Sequence, residues 1–269
     1  MPSPPSPLAP CIGQSLDFDF HDADLGWSNL GGNGPDGGPE GLRYVNVGST
    51  SLPTGGIIYF DLLVRAMGAY VPYDVRFNGL NGRFAQLNVA VGTQVDLRVE
   101  TLPSCCTAPN CAACDRAGAT GPERAACYAR GCCCFGDTVT DEFQCFGAVR
   151  ERRRASYGCT QMDVAITLPN TALVGMSIFD FDAGDSNSFI ETLTFPRYAY
   201  VQAPLHSRSG NDVTSRIQVQ HGPPLVLTSM EGDAPNPSDP RSVSDEQASR
   251  GAQVFFRPSL GYVDATFRC

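Results

Sequence analysis

The chain has 269 residues with 19 basic and 28 acidic side chains, a net charge of −9, and 28 glycines and 21 prolines. That balance excludes nucleic-acid binding through a basic face. A charged fraction of 17%, with so much Gly and Pro, fits loop-rich β architecture and not a helical bundle.

In chain order, residues 1–14 open with a Pro/Ser-rich stretch that reads as an extended tail or linker. It has neither the basic start nor the apolar run of a secretory leader, so the sequence given is expected to begin downstream of a removed one. Residues 15–20 alternate apolar and polar side chains, the period-2 mark of a half-buried strand. Six glycines and two prolines between Asn29 and Gly41 predict a surface loop without regular structure. Further strands are predicted at 42–47, 57–65, 70–77, 84–91 and 94–101, with Asn78-Gly79 and Asn81-Gly82 as turns of positive φ.

Beyond a cysteine-rich stretch the alternation resumes at 162–168, 174–181, 189–195, 198–203, 214–219 and 225–228. An acidic, Pro-rich loop at 231–245 precedes a short helix at 244–251, capped by Ser244 and ended by Gly251. Closing strands are predicted at 254–257 and 262–267. About a dozen short strands separated by turns define the expected class: all-β, a two-sheet antiparallel sandwich or jelly roll spanning 15–269, with an insert at 103–159.

Nine of the twelve cysteines fall between Cys105 and Cys145 of that insert: Cys105, Cys106, Cys111, Cys114, Cys127, Cys132, Cys133, Cys134 and Cys145. Its other residues are mostly small or polar, too little apolar surface to offset the entropy of ordering. Disulfides are the expected remedy, and Cys11, Cys159 and Cys269 bring the count to an even number. The rival is zinc, since Cys111 and Cys114 have knuckle spacing, but no second such pair exists. Disulfides imply an oxidising compartment, hence an extracellular or cell-surface location.

Two acidic groups stand out: Asp17, Asp19, Asp22 and Asp24, and then Asp180, Asp182 and Asp185. Asp alternating with Phe would pin a strand by its apolar face and present carboxylates on the other. Such a face is either simply solvated or a calcium site, because calcium takes six to eight oxygen ligands of this kind. The same carboxylates could be a glycosidase acid and base. His21, His206 and His221 are isolated, and neither a nucleophile elbow, a zinc-protease helix nor a phosphate loop occurs. The arginine run at 150–154 reads as a solvated charge run. Trp27, Tyr44, Tyr70 and Tyr73 are candidates to stack on sugar rings, although aromatic residues of sandwiches usually fill the core.

Residues 29–36, 42–48, 78–84, 179–184 and 236–243 together resemble a set of uncharacterised secreted β-sandwich domains of protists and microalgae. The resemblance runs from about residue 15 to the C-terminus, and the cysteine insert departs from it. It implies an extracellular sandwich and names no ligand.

The resulting expectation is a non-enzymatic structural or adhesive protein of a cell surface, matrix or filamentous appendage. Its partners would be other proteins or copies of itself, engaged through strand edges or the N-terminal tail. A carbohydrate-binding module is the alternative and a glycoside hydrolase the third. No apolar run reaches the ~20 residues of a membrane-spanning helix.

Overall fold

The computed structural model describes residues 18, 20–21, 23–37, 39–51, 57–103, 135–136, 143–144, 173–184, 186, 188–232, 235–257 and 261–269. Nearly all its regular structure is antiparallel β. The largest sheet has eight strands, in spatial order β1 (Asp24–Asn29), β2 (Gly41–Ser51), β3 (Ile57–Ala66), β6 (Gln94–Pro103), β15 (Tyr262–Arg268), β10 (Thr192–Phe195), β13 (Leu225–Ser229) and β12 (Ile217–Gln220). The last strand, β15, is thus central: it joins a half built before the cysteine-rich segment to a half built after it.

A second sheet places β14 (Ala252–Phe256) between β11 (Tyr200–Gln202) and β9 (Val174–Ile178). Two short hairpins complete the strands, β4 (Gly79–Asn81) with β5 (Phe84–Gln86), and β7 (Phe135–Gly136) with β8 (Phe143–Gln144).

Register explains how the core forms. Val95, Phe267, Leu193, Leu227 and Val219 stand opposite one another in turn across five strands, so one face of the large sheet is continuously apolar. Period-2 alternation fixes that register, because a slip of one residue would carry the row to solvent. On the C-terminal half this face packs against Ala252, Val254 and Phe256 of β14 and Val201 of β11. Phe195 and Phe256 meet there with ring centroids 5.4 Å apart. On the N-terminal half it is covered by Leu30, Tyr70, Val89 and the partly buried Phe18 and Phe20.

The opposite face carries polar pairs at its centre. Arg98 donates to Asp264 at 2.7 Å and lies 3.9 Å over the Tyr262 ring, while Arg65 reaches Glu100 at 3.1 Å.

Several predicted elements are corrected. β1 was not expected, because a bulge between Leu25 and Trp27 breaks the alternation that would reveal it. The glycine-rich stretch after it is structured, with a 3-10 turn at Leu30–Gly32 whose Leu30 is fully buried. Phe18 and Phe20 lie outside any strand, although the Phe20 ring meets Tyr44 edge-on at 5.2 Å.

Residues 70–77 are not a strand. The chain there is held by Asn88, whose side chain accepts from Asp74 N and donates to Asp74 O, and it ends in a 3-10 turn at Val75–Phe77. Only 84–86 of the predicted 84–91 strand forms. Gly82 takes positive φ as expected; Gly79 does not, being a strand residue of β4.

The helix α1 (Asp245–Ser249) carries the full capping box between Ser244 and Gln247. The predicted strand at 162–168 lies outside the described residues, as do all cysteines except Cys269. Among the described residues, no helix is long and apolar enough to cross a membrane.

Candidate functional site

The acidic segment after β9 is where sequence and structure converge. β9 ends at Ile178, so Asp180 and Asp182 do not lie on a strand. Asp180 instead adopts φ +63°, a left-handed conformation uncommon outside glycine. The kink still sends Phe181 into the core at 2% exposure, and it leaves both carboxylates close enough to repel each other.

Glu191 completes the group. The chain turns back through the Ala183–Ile190 bridge, and Glu191 accepts the Asp182 N–H at 3.0 Å on Oε2. Its own N–H donates to Ser229 Oγ at 2.9 Å, which ties the cluster to β13. Arg250 enters from the end of α1, nine-tenths or more buried: Nε lies 3.9 Å from Asp182, Nη1 3.7 Å from Glu246, and Nη2 donates to Gly232 O.

Burial dominates the electrostatics. Glu191 is pushed up to about 7, first by desolvation and then by Asp182 and Asp180. Asp180 is pushed up to about 6 by desolvation and by Asp182, with Arg250 opposing. The Cys269 thiol is raised too, by burial first and by Glu191 second. The buried oxygen Asp180 Oδ1 accepts no hydrogen bond among the described residues.

Chemically, such a group retains a proton near neutrality. Glu191 Oε2 is engaged by the main chain of Asp182, and the Arg250 guanidinium lies beside the Asp182 carboxylate. A cation meets a mixed donor set, in which an orphaned carboxylate oxygen invites a metal and the Arg250 guanidinium already supplies positive charge. Among the described residues, no three His, Cys, Asp or Glu side chains are arranged to hold an ion.

The other predicted acids are placed apart or not placed. Asp24 lies on β1 opposite Val45, and Asp17, Asp19, Asp22 and Asp185 lie outside the described residues. The candidate sugar-stacking aromatics divide sharply. Trp27, Tyr44 and Tyr70 are core residues, at 3%, 0% and 4% exposure, whereas Tyr73 is 74% exposed. Burial also pushes the Tyr44 and Tyr70 hydroxyls upward. Cys269 is half-buried and has no disulfide partner among the described residues, and the other eleven cysteines lie outside them.

Glu191 and Arg250 carry no sequence signal. Each is a single charged residue beside an apolar element, and only the turn at Ala183–Ile190 and the end of α1 bring them to Asp182.

No family model matches this chain, and neither a curated protein nor a solved structure matches it.

Proposed function

We propose that the chain is an extracellular structural or adhesive protein whose apposed antiparallel sheets form a two-sheet sandwich of the jelly-roll kind, and whose task is to hold a protein partner or a second copy. The observation that carries this reading is an apolar surface on one segment. Among the described residues, five of the seven exposed large apolar side chains, Met67, Val71, Tyr73, Phe77 and Val91, fall between positions 67 and 91. The Ala90 N–H donates to Val71 O at 2.9 Å, which brings two parts of that segment side by side. Exposed apolar side chains that form a contiguous patch mark an interaction site.

The experiment is a Tyr73→Ser/Phe77→Ser double variant followed by sedimentation and surface adhesion. Loss of assembly with an unchanged circular dichroism spectrum supports the reading; unchanged assembly removes it. Deleting residues 1–14 tests the tail as the alternative contact. The carbohydrate-binding alternative now rests on Tyr73, the one exposed member of its four aromatics. Calcium enters only as a stabiliser at Asp180 and Asp182, where it would compete with Arg250, and a melting temperature indifferent to chelator would dismiss it.

A further inference from the structure

The chain contains three Asn-Gly steps: Asn33-Gly34, whose amide donates to Gly31 O and Tyr70 O, and two that lie three residues apart, Asn78-Gly79 and Asn81-Gly82, and are chemically equivalent in an unfolded chain. We propose that the fold makes Asn81 a site of spontaneous deamidation and isomerisation while protecting Asn78. This inference is independent of the functional reading above.

The reaction needs a free side-chain amide and a free following N–H. The Gly82 nitrogen loses its proton to solvent base and bonds to Asn81 Cγ. The Cγ–Nδ2 bond breaks, Nδ2 leaves as ammonia, and a succinimide ring remains. Water then adds to either ring carbonyl and opens the ring to aspartate or to isoaspartate.

Asn78 fails by burial and by its held oxygen, since its Nδ2, without a hydrogen-bond partner among the described residues, is shut off from solvent. It is 2% exposed, and its Oδ1 accepts from Asn88 N at 3.2 Å and Asn88 Nδ2 at 3.0 Å, with the Tyr70 hydroxyl at 2.9 Å. Gly79 stands opposite Gln86, two residues above the closing pair Asn81–Phe84. Hydrogen-bonded pairs alternate along an antiparallel ladder, so the Gly79 N–H is engaged whenever the closing pair is.

Asn81 meets both requirements. Its half-buried amide has no hydrogen-bond partner among the described residues. Gly82 is the first central residue of the two-residue turn, with φ +60°, and Arg83 lacks positive φ. That is the type II′ pattern, in which the N–H of the first central residue points away from the ladder.

Conversion would matter locally. The Arg83 N–H donates to Ser238 O at 3.1 Å, and its guanidinium lies 3.4 Å from Asp239. Isoaspartate adds a methylene to the main chain at position 81 and so displaces that latch, and either product adds negative charge two residues before Arg83.

The test is to age the full chain in mildly alkaline buffer and follow both sites by peptide mapping, with a denatured sample alongside. The expected result is conversion at Asn81 at least about tenfold faster than at Asn78, ~1.4 kcal/mol in barrier, with the difference abolished by denaturant. Asn81→Gln should eliminate the fast phase, and Tyr70→Phe should speed Asn78. Equal native rates, faster conversion at Asn78, or no native conversion at either while the denatured chain converts would each overturn the proposal.

Discussion

The guanidinium of Arg43 and the carboxylate of Asp61 meet across β2 and β3, Nε to Oδ2 at 2.9 Å, with exposures of 2% and 1%. Asp61 faces the irregular stretch of β2 between Tyr44 and Gly48, where Asn46 takes φ +63° and donates its N–H to Asp61 Oδ1 at 3.0 Å. Arg43 also lies 5.2 Å over the Trp27 ring. One buried carboxylate therefore balances a charge and holds a bulge.

Removing one partner strands the other charge in the interior. Arg43→Met is expected to cost about 3–5 kcal/mol, while the double variant with Asp61→Leu should recover most of that loss. A residue of about 1–3 kcal/mol should persist, because the Asn46 N–H loses its acceptor. Urea midpoints of the two variants and the parent check this, and an Arg43→Met variant as stable as the parent would refute it.

The raised carboxylates predict a pH dependence of definite sign. Their folded-state values exceed their ordinary ones, so their contribution is fully present at low pH and is lost as pH rises through about 6 for Asp180 and about 7 for Glu191. For the well-buried Glu191 the shift from 4.5 to about 7 corresponds to roughly 3 kcal/mol at most. Denaturation midpoints should fall between about pH 4 and about pH 7 and level off above that. Glu191→Gln should flatten that fall and stabilise the protein at the alkaline end. A variant with the parent's slope would show that Glu191 is not responsible.

Trp27 and Tyr73 should behave oppositely. Trp27 packs with Leu63 and Leu102, so Trp27→Ala is expected to cost about 3–5 kcal/mol. Tyr73→Ala should change stability by less than about 0.5 kcal/mol. Thermal melts separate the two, and a neutral Trp27→Ala would place the indole outside the core.

Both outer strands of the large sheet have main-chain groups capped by nearby residues. On β12 the Ser215 hydroxyl accepts from Ile217 N and donates to Ile217 O, each at 3.1 Å. On β1 Ser28 N donates to Asp36 Oδ2 at 2.7 Å and Asp36 N donates to Ser28 O at 3.1 Å. Edge groups left open template pairing with another chain. Ser215→Ala should therefore increase concentration-dependent aggregation, read by light scattering, with little change in the circular dichroism spectrum. Unaltered solubility would show that this cap protects nothing.

How far the sequence could be read depended on the kind of signal. β6 and β15 carry clean alternation and β3 a near-continuous apolar run, and all three lie close to their predicted ranges. α1 formed where Ser244 and Gly251 implied it, because a capping box is a local device. β1 was hidden by its bulge, and 70–77 looked strand-like until Asn88 claimed the main chain of Asp74. For the candidate site, pattern alone picked out Asp180 and Asp182, but it placed them on a strand face and did not find Glu191 or Arg250.

Alternation of apolar and polar side chains determined from sequence alone that this protein is built of strands, since period 2 suits only a pleated chain with one dry face. The tertiary structure decided which acids share a site, which aromatics reach solvent and which Asn-Gly step is open. Those outcomes depend on burial and on partners distant in the chain, and no local pattern encodes either.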